Sequence, residues 1–142
     1  MSTIEEELRL LAEVAKPLQK ATDEANAAIQ AANAGIAAVA PGIEVWLTSE
    51  SGQRVVIRDL FVCGHCLGVS KAKGVWQTVI RPCDLEQQGE AGEWQAEPTP
   101  LIEASREDRL AAAPVLPSLI RAVTEECNRL LNVFLQAAER PL

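Results

Sequence analysis

The chain has 142 residues and a formal net charge of −7, enough for one domain with its own core. Its 48% hydrophobic content is rich in alanine, with five aromatic residues and no tyrosine, and this acidic balance argues against binding a phosphate backbone. The start, Met1 to Glu7, is acidic and lacks the basic and apolar regions of a signal peptide, so a cytoplasmic location is expected.

Residues 3–39 read as one long helix. Ile4, Leu8, Leu11, Ala15, Leu18, Thr22, Ala25, Ile29, Ala32, Ile36 and Val39 are spaced alternately four and three apart, a seam sustained for five heptads. Ser2 or Thr3 can cap its start, Glu5 to Glu7 suit the positive end of the helix dipole, and Pro41-Gly42 ends it. Pro17 removes one backbone hydrogen bond, but the seam keeps its phase from Ala15 to Leu18, which favours a kink over a break. The apolar run from Ala25 to Ala40 contains Asn26, Gln30, Asn33 and Gly35 and is too short to cross a membrane.

An unbroken 37-residue helix is about 55 Å long. A compact chain of this size has a diameter near ~37 Å, so the helix overhangs its domain by roughly 15–20 Å. Either Pro17 folds it back or the overhang meets another chain.

Residues 43–81 change period from four-three to two. Ile43, Val45 and Leu47 alternate with Glu44, Trp46 and Thr48, and Arg54 to Val62 is rich in β-branched residues. Ser49 to Gly52 and Lys71 to Gly74 read as turns, and Val75 to Arg81 alternates again. These signals predict an antiparallel meander of three or four strands. The segment also carries a +4 patch around Arg54, Arg58, Lys71, Lys73 and Arg81, the one place an anion would favour.

Residues 82–104 form an acidic loop containing Gly89, Gly92, Pro98 and Pro100. Ser105 starts a short helix with an acid three residues on, Pro114 stops it, and Pro117 opens the last helix. Leu116, Ile120, Val123, Cys127, Leu130, Phe134 and Ala137 repeat the four-three spacing to residue 139, which places Cys127 in the core.

The sharpest local motif is Cys63-Gly64-His65-Cys66. As letters it resembles the active-site tetrapeptide of protein disulfide isomerases of the thioredoxin superfamily. That resemblance implies an exposed Cys63 thiol activated by a helix N-terminus, with Cys66 resolving. Here Val62 stands where that family usually has tryptophan, and Leu67 to Ser70 reads as strand, not helix. A zinc site is the second reading, with Cys63, Cys66, Cys83 and His65 as candidate ligands, although His65 lies between the two cysteines. The plain reading makes the cysteines small core residues, with no cofactor. Trp46, Trp76 and Trp94 are candidates for a binding surface, and Glu103, Glu107 and Asp108 for a divalent cation.

The sequence therefore predicts a single two-layer α+β domain, residues 1–142, with one face of the meander on the paired terminal helices. The expected function is a non-enzymatic assembly module that self-associates, a dimer being favoured. The interface candidates are Leu18, Ala25, Ile29, Ala32 and Ile36. Competing expectations are a thiol-redox or zinc protein centred on Cys63 and Cys66, and a small-ligand binder using the open sheet face.

Overall fold

A computed structural model describes residues 2–39, 41–48, 56–59, 63–84 and 97–141. Helix α1 spans Ile4–Val39. The backbone N–H of Glu6 donates to Thr3 Oγ1, and the N–H of Thr3 donates to the Glu6 carboxylate, so the acidic start closes a capping box. The helix continues through Pro17 without a break. At 1.5 Å per residue its 36 residues span about 54 Å.

Among the described residues the sheet has five strands, where the period-two signals predict three or four: β1 Val45–Trp46, β2 Val56–Asp59, β3 Cys63–Ala72, β4 Val75–Asp84 and β5 Thr99–Pro100. All the pairings are antiparallel. Strands β3 and β4 form the long hairpin. Lys73 (φ 52°) and Gly74 (φ 76°) turn it with positive φ at both central residues, the geometry that matches strand twist. Lys73 then reaches Glu103, with Nζ to Oε1 at 2.6 Å.

The first two strands depart from a meander. Both β1 and β2 pair with the same edge of β3. Val45 lies opposite Val69 and Trp46 opposite Gly68; Leu47 N–H donates to Leu67 O; Val56 then lies opposite Cys66. The two segments are thus collinear pieces of one interrupted edge, not two legs of a hairpin. The expected turn at Ser49 to Gly52 and the acidic stretch 85–96 with Trp94 lie outside the described residues.

After β5 the chain makes a short 3-10 turn, Leu101–Glu103, then α2 Arg106–Ala112, a second such turn over Ala113–Val115, and α3 Leu116–Glu139. Ser105 Oγ accepts from Asp108 N–H, as its spacing predicts. Pro117 sits in the first turn of α3, where its missing N–H costs nothing.

The helices cover one sheet face. Strand alternation puts Leu67, Val69, Ile80 and Val45 on that face, and they form one core with Ile29, Ile36, Leu101, Leu116 and Leu119. Two amides of α1 dock on this layer. Asn33 Oδ1 accepts from both N–H and Oγ1 of the fully buried Thr78, at 2.9 and 2.8 Å. One heptad earlier on the same side, Asn26 Oδ1 accepts from the guanidinium of Arg109 in α2. The other sheet face is expected to be open, yet at its centre it is closed: Cys66 and Val79 are fully buried, and the Trp46 ring lies against Gly68. No helix among the described residues is long and apolar enough to cross a membrane.

Candidate assembly surface

The tetrapeptide lies wholly inside β3. Three steps of extended chain separate positions 63 and 66 by roughly 10 Å, beyond the 4.4–6.8 Å that a disulfide spans between Cα atoms. In a strand, moreover, positions three apart belong to opposite faces. No helix N-terminus follows to acidify a thiol, because β3 runs on to Ala72. Cys66 is buried in the sheet. Backbone register sets Gly64 opposite Cys83 and Cys63 opposite Asp84, while the side chains of Cys63 and Cys83 lie outside the described set.

His65 has a structural task that its spacing does not reveal. Its Nδ1 lies 2.9 Å from Asp108 Oδ1, with the His side chain 19% and the Asp side chain 7% exposed. Asp108 is the third residue of α2, so this contact pins the start of that helix to β3. The expected cluster of Glu103, Glu107 and Asp108 is dispersed accordingly: Asp108 is buried against His65 and Glu103 is paired with Lys73. His65→Ala is expected to lower unfolding free energy by about 1–3 kcal/mol, the cost of stripping a partner from a buried carboxylate. Urea denaturation would measure it, and a loss below about 0.5 kcal/mol would show that the contact contributes little.

The apolar surface lies elsewhere. Every residue of α1 from Ile4 to Ala21 is exposed, and the first buried residue is Thr22. At 1.5 Å per residue this free arm is about 27 Å long. The stripe that enters the core as Ala25, Ile29 and Ile36 continues outward as Leu18 (40% exposed), Leu11 (61%), Leu8 (56%) and Ile4 (71%), with Leu10 and Val14 beside it. Of the five expected interface residues, Ala25, Ile29 and Ile36 are occupied by this chain's own core, Ala32 is half-buried, and Leu18 is exposed. The unpartnered stretch of the seam is therefore its first half, displaced toward the N-terminus.

The last helix has the same construction. Leu116, Leu119 and Val123 are buried, after which the stripe emerges as Leu130, Leu131 and Phe134. Cys127 is exposed, not buried as its seam position predicts, because the helix leaves the core one turn earlier. Glu126 and Arg129 pair along this exposed stretch. The guanidinium hydrogen bond holds the Glu126 carboxyl below its ordinary range and the Arg129 pKa above its own. Trp46 is half-buried with its ring against Gly68, and Trp76 packs half-buried on the core, so both contribute to packing.

Comparison of the chain with protein-family models, with characterised proteins and with solved structures gives no match.

Proposed function

We propose that this protein is a non-enzymatic assembly module that associates with a second copy of itself through the N-terminal half of α1. The carrying observation is the free arm, 18 residues whose apolar stripe runs in phase with the stripe that packs the core. A soluble monomer gains nothing from holding such a stripe in water.

The area fits a second chain. Burying one large aliphatic side chain corresponds to about 60–120 Å² of apolar surface. The six exposed on the arm supply on the order of 500 Å². A standard interface buries about 800 Å² per partner, a little over half of it apolar. Paired arms thus reach the size of a stable contact without help from the sheet.

The alternatives have less support. A thiol-redox centre needs two sulfurs within bonding reach, and the extended backbone of β3 holds their positions apart. A ligand on the outer sheet face would have to displace Trp46 from Gly68.

Leu11→Asp is expected to lower the sedimenting mass of the protein at micromolar concentration while leaving its helical spectrum intact. Gln30→Asp, exposed and off the stripe, is expected to leave the mass unchanged. Wild-type protein sedimenting as a 15.3 kDa monomer would overturn the proposal.

A further inference from the structure

A groove of about 660 Å³ lies between the last turns of α1 and the middle of α3. Ala32, Gly35 and Ile36 wall one side, and Ile120, Val123 and Cys127 the other. The α1 side is low: a Cβ built on Gly35 would meet nothing within 4 Å. The α3 wall does not stop at the groove. Its stripe continues into open solvent as Leu130 (40% exposed), Leu131 (54%) and Phe134 (66%).

We infer that this groove receives the distal part of α3 from a second copy, the two α3 helices running antiparallel about a two-fold axis near Cys127. With the axis there, residues equally far before and after Cys127 face one another. Phe134 of one copy then lies over Ile120 of the other, and Leu131 over Val123. The aromatic ring enters the groove where Gly35 leaves room.

Two features of the chain select a second copy as the occupant. The projecting side chains and the recess lie on one helix stripe, on opposite sides of Cys127, so a single two-fold operation fills both grooves and covers both distal stripes at once. The area also suffices. Ile120, Leu130, Leu131, Phe134 and Leu135 are exposed on this side of the helix, and at about 60–120 Å² each they supply about 450 Å². This contact is separate from the pairing of α1 arms, and a chain carrying both assembles beyond a dimer.

Variants of the full chain separate the two contacts by sedimentation. Leu11→Asp disables the α1 arm and is expected to leave a dimer of twice 15.3 kDa held by α3. A monomeric Leu11→Asp protein would overturn the groove pairing. Adding Phe134→Asp to Leu11→Asp is expected to give a monomer, with alkylation of Cys127 at least several-fold faster. Adding Gly35→Phe instead, which fills the groove from a position with no neighbour to displace, is also expected to give a folded monomer. A dimer surviving either double change would show that α3 docks elsewhere and overturn the inference. Phe134→Asp alone reports on the arm: a dimer supports α1 pairing, whereas a monomer sinks α1 pairing and leaves the groove to be decided by Leu11→Asp.

Discussion

Ile29→Asp is expected to abolish the folded state, although the same change at Leu11 leaves it intact. Both residues lie on one helical stripe, and their sequence contexts are alike. Ile29 is fully buried among Leu67, Ile80 and Leu119, while Leu11 is 61% exposed. Truncating a buried aliphatic costs about 2–5 kcal/mol. Placing an unpaired carboxylate there adds a desolvation penalty of several kcal/mol. The total rivals the roughly 5–15 kcal/mol that holds a domain of this kind together. Loss of the cooperative thermal transition would confirm it. A folded Ile29→Asp protein would mean that α1 is not seated on the sheet through this stripe.

The second large effect comes from a position with no side chain. A Cβ on Gly68 would lie 2.4 Å from Trp46 Cε3 and 2.7 Å from the carbonyl oxygen of Val45. Both belong to β1, which pairs with β3 at this point. The ring can yield only by leaving its place, and the carbonyl only by breaking strand register. Gly68→Val is therefore expected to cost about 3 kcal/mol or more, as overpacking with backbone displacement does. Gly68→Ala is expected to cost less. Trp46→Ala, by contrast, removes the main obstacle, so Gly68→Ala in that background should be milder than in the native chain. A double-mutant cycle followed by urea denaturation tests this coupling. Additive losses would show that the ring and the glycine do not meet.

The periodicity of the helices and strands was legible in the sequence because it reports which face of each element is apolar. The caps at Thr3 and Ser105, the turn at Lys73-Gly74 and the antiparallel sheet follow from local chemistry and appear where that chemistry puts them. Periodicity does not say where along its length a helix meets the core. Ala25 and Leu18 are equivalent in the repeat, yet one is buried and the other exposed, and the same ambiguity misplaces Cys127. Polar contacts between distant elements were illegible for another reason. His65 and Asp108 are 43 residues apart, and Asn26 and Arg109 are 83 apart, so no local pattern links them. Asn26 and Asn33 read in the sequence only as interruptions of an apolar run, although a half-buried amide acceptor aimed at the buried Thr78 is among the more specific contacts in the fold.

Those two asparagines index the helix. A stripe that repeats every seven residues has no origin of its own, and sliding it by one turn keeps apolar groups facing the core. A slide of one turn would leave the N–H and hydroxyl of Thr78 buried with no acceptor, so inside the domain the helix resists that slip. Positions one, two and three heptads before Asn26 hold Gln19, Ala12 and Glu5, all exposed. Gln19 turns to Asp23 of its own helix. The arm thus carries its apolar stripe with no asparagine at these positions, and under the proposed pairing two arms offset by a heptad would differ little in energy. Distances between assembled domains would then come in steps of a heptad, about 10 Å, and not as a single value.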